Sequence, residues 1–152
     1  MNDENDGDDE MDEKEDNIEN KDSTTNVSSN ANATFGEDDE YFANSKIERE
    51  KMYSQMLETY QKILENQTIS EEQKSIASTE ITNINNTRNA IMICENLLAI
   101  KGFEEAVILS NSESVNVVIK AKELTAEEIA QVQNIITREM GTGIENIHIM
   151  KK

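Results

Sequence analysis

Residues 103–121, FEEAVILSNSESVNVVIKA, decide the fold because they contain two short apolar segments joined by a polar turn. Strands are predicted at 103–110 and 114–121, and the second strand carries valine or isoleucine at every second position from Val115. The three polar residues between them are too few for a crossover connection. The two strands are therefore predicted to form an antiparallel hairpin.

Helices are predicted on both sides of this hairpin. Before it, a capping-box sequence that begins at Ser70 starts a helix running to Ile100, and Gly102 is a candidate for its C-terminal stop. After it, a second capping-box sequence at Thr125 starts another helix, which is followed by a last short strand at 145–150, ENIHIM.

A further helix is predicted at the N-terminal end of the ordinary sequence, from about residue 40 to 66. Its apolar stripe has helical spacing and comprises Tyr53, Met56, Leu57, Tyr60, Ile63 and Leu64. The opposite face is charged and is predicted to be solvated; it comprises Glu48, Arg49, Lys51, Glu58, Lys62 and Glu65.

The predicted fold class is α+β. A long N-terminal helix at 41–69 precedes a domain at 70–152 with the order α-β-β-α-β and a three-stranded antiparallel sheet. A right-handed crossover from the second strand through the last helix would place the last strand beside the first. The predicted strand order is therefore last, first, second, with the two later helices packed on one face.

The sheet is predicted to be apolar on both faces, since Val107 and Leu109 alternate with Ala106 and Ile108. A sheet with helices on one face normally has a hydrated second face, so either the first helix or another molecule must cover it. Contiguous exposed apolar patches mark interaction sites. The interface predicted from this geometry comprises Val107, Leu109, Asn116, Val118, Lys120, His148 and Met150.

The charge is concentrated at the N-terminus. Residues 1–40 contain 16 acidic and 2 basic side chains, whereas residues 41–152 contain 16 and 12, and the chain carries −18 overall. Low hydrophobicity and like-charge repulsion predict a disordered acidic linker at 1–40. The absence of a basic patch argues against nucleic-acid binding. No apolar run predicts a transmembrane helix or a signal peptide, and a single cysteine cannot form an internal disulfide.

Few side chains suit catalysis or metal binding. Cys94 lies in an apolar helical segment and His148 stands alone on a strand, so structural or surface roles are expected for both. The calcium-loop-like spacing from Asn2 to Glu13 begins with the wrong residue and lacks flanking helices. The Gly141-Thr142-Gly143 segment lacks the lysine of a phosphate loop. No enzymatic activity, cofactor or metal is predicted.

Four segments together resemble a known family: ENLLAIKGFEEAV at 95–107, SVNVVIKA at 114–121, LTAEE at 124–128 and ENI at 145–147. They are similar to the SpoIIIAH-like family (stage III sporulation protein AH) of endospore-forming Firmicutes, over about residues 45–152. The resemblance implies a ring-building fold related to the basal-body ring proteins of type III secretion, with no catalytic residues.

The same resemblance implies partners and a location. Family members are anchored in the mother-cell membrane by an N-terminal helix, face the intermembrane space, and bind stage II sporulation protein Q of the forespore in a channel or zipper. Homo-oligomerisation or contact with other stage III sporulation proteins is also implied. The anchor helix is not expected here, because this chain begins in the acidic linker, either as an excised soluble piece or as a shorter gene product.

A small-molecule-binding regulatory α+β domain is the alternative function. It would need a concave pocket with convergent polar groups, for which the sequence offers Asn116, Lys120 and His148.

Overall fold

Three helices and three strands make up residues 36–152, the part of the chain that this computed structural model describes. Their bounds are α1 Glu37–Glu65, α2 Glu71–Ile100, β1 Ala106–Ser110, β2 Val115–Ile119, α3 Ala126–Met140 and β3 Ile147–Lys151, with a 3₁₀ turn at Ile144–Asn146 before β3. The predicted α+β class and element order are confirmed. The calcium-loop-like spacing, and the predicted linker up to residue 35, lie outside the described residues.

The helix ends follow local sequence signals. Ser70 caps α2 by accepting a hydrogen bond from the backbone N–H of Gln73, and Thr125 and Glu128 form a complete capping box on α3. Gly102 and Gly141 follow α2 and α3 with positive φ, which glycine adopts without steric cost.

Helix α1 begins at Glu37, inside the stretch that was predicted to be a disordered linker up to residue 40. Its first turn consists of four acidic residues. Carboxylates at a helix N-terminus are stabilised by the partial positive charge of the unpaired N–H groups there. The acidity that resembles a linker in the sequence is therefore compatible with a helix start.

The sheet has the order β1-β2-β3. Strands β1 and β2 are antiparallel, as predicted for the hairpin, but β3 lies parallel to β2 and on its other side. The predicted order last, first, second and the all-antiparallel sheet are therefore wrong. Helix α3 returns the chain to the start of β2, so β3 runs in the same direction as β2. The outer edge of β1 is occupied by side chains of α1 and α2, described below, which leaves only the β2 edge for β3.

The main core lies between α2, α3 and one face of the sheet. The sheet contributes the alternate residues Val115, Val117 and Ile119 of β2, and α3 contributes Val132 and Ile136. From α2 come four fully or almost fully buried side chains, Ile84, Ile91, Cys94 and Leu98. Within residues 36–152 no helix combines the length and the apolar character that crossing a membrane requires.

The second face of the sheet is covered in part by the start of α1. Phe42 is buried against Val107 and Val118 in a small cluster separate from the main core, with Tyr41 and Leu109 half-buried beside it. The sequence left open whether the first helix or another molecule covers this face, and over β1 and β2 it is the first helix. Val107 and Val118, two members of the predicted interface, are thus covered by the chain itself.

Candidate interaction surface

The seven residues of the predicted interface lie on one face of the sheet. Strand register aligns Val107, Val118 and Met150 in one row across the three strands. A second row aligns Leu109, Asn116 and His148. Lys120 directly follows β2 and continues its alternation, so it belongs to the same side. The hydrophobic pattern alone placed these residues together; that they bind a partner stays a prediction.

Burial divides this face into a covered half and an open half. Val107 is fully buried and Val118 is 5% exposed beneath Phe42, so neither can touch a partner while α1 is in place. On β3, by contrast, Met150 is 48% exposed and His148 is exposed. The surface available for contact is therefore the β3 side of the face.

A shallow groove of about 330 Å³ separates α1 from the rest of the second face. Its lining includes Met52 of α1 together with Leu109 and Asn116 of the second row. Met52 is 45% exposed, and Leu109 and Asn116 are half-buried. The open half thus consists of this groove and the neighbouring exposed residues of β3. The name β3 surface is used below for five of its residues: Met52, Leu109, Asn116, His148 and Met150.

Lys120 forms an ion pair with the first turn of α1. Its Nζ donates to Asp39 Oδ1 at 2.7 Å and to Glu104 Oε1 at 3.0 Å. The hydrogen bonds to Asp39 and then to Glu104 raise the pKa of Lys120 above its usual range, and the Lys120 ammonium lowers the pKa of Asp39. Lys120 belongs to the predicted interface, but in this structure its ammonium group is already paired with Asp39 of α1 and with Glu104.

Arg49 closes the outer edge of β1. Its Nη1 donates to Glu95 Oε1 at 2.5 Å and to the carbonyl oxygen of Ile108 at 2.8 Å. Glu95 Oε1 in turn accepts the Ile108 N–H at 3.0 Å. An edge strand presents unpaired backbone groups that can pair with another chain. At Ile108 this ion pair satisfies both groups, which blocks strand addition there.

The assignment of Arg49 to a solvated face is wrong, because its side chain is only 7% exposed. Phe42 and Arg49 are the two important residues that the sequence analysis missed. A signal was present: Phe42, Arg49 and Tyr53 are separated by seven and four residues, which continues the apolar stripe of α1 toward its N-terminus.

Neither Cys94 nor His148 forms a catalytic arrangement. Cys94 is buried in the main core, whereas His148 lies on the opposite face of the sheet. Burial raises the pKa of the Cys94 thiol to about 12, so the nucleophilic thiolate is scarce at neutral pH. Between residues 36 and 152, no three His, Cys, Asp or Glu side chains are grouped as a metal ion requires.

The polar residues of the alternative function do not converge. Asn116 lines the groove beside Leu109, whereas Lys120 lines a separate hollow with Lys122 and Lys151. A more polar cleft of about 450 Å³ lies beside Gly141-Thr142-Gly143 and contains none of the three predicted residues.

Comparison with known proteins decides the family. A family model described as SpoIIIAH-like protein matches residues 1–149. The chain belongs to the SpoIIIAH-like family. This confirms the resemblance seen at residues 95–147 and supports a role among sporulation interaction proteins rather than in an enzyme class.

A solved structure has the same fold as this SpoIIIAH-like chain. It is described as the SpoIIQ–SpoIIIAH pore-forming complex, and the match has a TM-score of 0.68 at 16% sequence identity. The alignment covers 74% of this chain and 96% of the other. Comparison with curated protein sequences gave no match.

Proposed function

We propose that this SpoIIIAH-like chain is a non-enzymatic interaction protein of endospore formation. Its α+β domain would bind a SpoIIQ-like protein of the forespore and further copies of itself, as part of a channel or zipper between mother cell and forespore. Two findings support this proposal. The chain belongs to the SpoIIIAH-like family, and its fold is that of a chain in the SpoIIQ–SpoIIIAH complex.

The observation that carries the proposal is the open β3 surface. Met150 and His148 are exposed beside a groove whose lining includes Met52, Leu109 and Asn116. An interface typically has an apolar centre with a polar rim. Here the methionines and Leu109 supply the centre, and His148 and Asn116 supply the polar groups.

The proposal includes a location at the mother-cell membrane, with the domain facing the intermembrane space. This part rests on the family alone. It can be checked separately, by fractionating sporangia and asking whether the native protein sediments with mother-cell membranes.

Substitution of Met150 by Asp tests the interaction. A carboxylate in an apolar contact must be desolvated without a partner, so we expect binding to the soluble part of the SpoIIQ-like protein from the same organism to weaken about tenfold or more, which corresponds to about 1.4 kcal/mol. Binding would be measured by titration calorimetry. Because Met150 is exposed, the thermal unfolding temperature should change little.

Met92→Asp is the matched control, since Met92 is similarly exposed, at 55%, on α2 rather than on the β3 surface. Met92→Asp should bind normally. If Met150→Asp and a Leu109→Asp variant both fold and bind like the wild type, the β3 surface is not the interface. Val118→Asp, a natural choice from the sequence, is unsuitable because Val118 is buried beneath Phe42 and its charge would destabilise the fold.

A further inference from the structure

Helix α1 is attached to the domain in two separate ways. From Arg49 onward it is joined to α2 and the main core, through the Arg49–Glu95 pair, the Arg88–Glu50 pair and buried Tyr53. The preceding residues 37–46, called the cover below, contribute no side chain to the main core. The cover has its own small apolar cluster around Phe42.

Apart from that cluster, the cover is held by charged contacts at the surface. Asp39 Oδ1 lies 2.7 Å from Lys120 Nζ, and Asp38 Oδ1 lies 3.7 Å from Lys152 Nζ. Lys152 also lies 4.7 Å from the centre of the Tyr41 ring, and Lys46 pairs with Glu105 at 2.8 Å. The side chains in these ion pairs are between 24% and 53% exposed. Pairs of this kind are weak and are screened by salt.

The start of the cover lacks a side-chain N-cap. Gly36 occupies the N-cap position and supplies no side-chain hydrogen bond to the first turn. The four successive acidic residues at 37–40 also repel one another, and two of them are paired with lysines that directly follow β2 and β3, Lys120 and Lys152. Besides the helix-terminus effect and the Gly36–Asp39 hydrogen bond, the first turn is therefore held to the rest of the domain by two exposed lysine ion pairs.

We propose that the cover is a releasable strap, which hides the row Val107–Val118 in the free protein and opens on assembly. Release leaves the remainder of α1 attached through Arg49 and Tyr53. It would extend the exposed apolar surface from Met150 across the whole row to β1. This inference rests on the proposed function, because the partner that gains the enlarged surface is the one that docks on the β3 surface.

Hydrogen exchange of the full chain, without any partner, tests the strap. Amides in 40–46 should exchange faster than those in 53–63, and the difference should grow as NaCl is raised from about 20 mM to about 500 mM, which shortens the Debye length from roughly 20 Å to roughly 4 Å. Lys120→Gln should speed exchange in 40–46 by about threefold at low salt, the scale of a lost exposed ion pair.

Lys62→Gln is the matched control, because Lys62 pairs with Glu58 on the other half of α1; it should leave exchange in 40–46 unchanged. In Phe42→Ala, the cover should lose protection while α2 keeps it. The strap proposal would be overturned if exchange were uniform along α1 and changed neither with salt nor in Lys120→Gln. It would also be overturned if Phe42→Ala reduced the protection of α2. Neither result depends on a partner, so the docking proposal would stand or fall separately.

Discussion

Arg49 illustrates how one residue can connect three elements. It is carried by α1, pairs with Glu95 of α2, and donates to the carbonyl of Ile108 in β1. The Arg49 and Glu95 side chains are 7% and 17% exposed. Because both are largely removed from water, each charge depends on the other for compensation, and Ile108 supplies one further hydrogen bond to each.

Replacing Arg49 by Ala should lower the free energy of unfolding by about 3–5 kcal/mol, because Glu95 would remain buried without its partner. Urea unfolding followed by circular dichroism measures this. Lys62→Ala removes an exposed pair with Glu58 and should change stability by about 0.5 kcal/mol or less. Equal effects of the two substitutions would show that the edge contact contributes no more than a surface pair.

Helix α3 is the element that places β3, and its first turn is fastened by the capping box. Thr125 Oγ1 accepts the Glu128 N–H at 3.2 Å, and Glu128 Oε2 accepts the Thr125 N–H at 2.8 Å. Hydrogen bonds from the Thr125 backbone and hydroxyl lower the pKa of Glu128 below 4.5. The charged carboxylate is thus the form that the cap requires.

Thr125→Ala should cost about 1 kcal/mol of stability at pH 7, a typical value for an N-cap. Since the Glu128 pKa is lower in the folded state, the part of the cap's contribution that depends on the carboxylate is present above pH 4.5 and is lost as pH falls further. Unfolding curves at pH 7 and pH 3 should therefore show a smaller wild-type advantage at pH 3. Thr59→Ala, in the exposed middle of α1, should not destabilise, because alanine has the higher helix propensity.

Features encoded by neighbouring residues were predictable from the sequence. The hairpin, the cap at Ser70, the capping box at Thr125 and the stop at Gly102 all depend on interactions within a few positions. The two-residue period also predicted which residues share the second face. The two-residue alternation of a strand specifies the sheet face to which each side chain belongs, but it does not specify which strand is its neighbour in the sheet.

The predictions that were wrong concern contacts between segments distant in the sequence. Strand order depends on which edge of the hairpin remains free, and this is set by Arg49 and Glu95, 46 positions apart. Both charged residues look solvent-exposed in the sequence, because an apolar period gives no sign that a charge is paired. Phe42 was missed for a related reason: it lies two residues after the acidic run at 37–40, whose composition masked the continuation of the helical stripe.

At the scale of the whole molecule, charge opposes self-assembly. The chain carries −18, and residues 1–40 contribute 16 of its 32 acidic side chains. Identical copies therefore repel one another over roughly a Debye length, about 30 Å at 0.01 M salt and about 8 Å at 0.15 M. Screening must reduce this repulsion before short-range apolar contacts can act.

Self-association should accordingly strengthen as salt is raised from about 0.02 M to about 0.3 M. Sedimentation velocity at several concentrations measures it. A variant whose acidic residues in 1–22 are replaced by the corresponding amides should associate similarly at both salt concentrations. Association that weakens with salt in the wild type would mean that attraction between opposite charges dominates the contact between copies.

The closed edge of β1 limits how identical domains can polymerise. Head-to-tail growth of a continuous sheet needs two open edges on every subunit, and the β1 edge is blocked at Ile108. Two copies paired through their β3 edges would leave only the blocked β1 edges at the ends of the joint sheet. Edge-to-edge pairing of this kind would therefore stop at a dimer and would not form a fibre. A closed multimer of this chain would therefore need contacts other than a continuous sheet, such as contacts between helices or sheet faces.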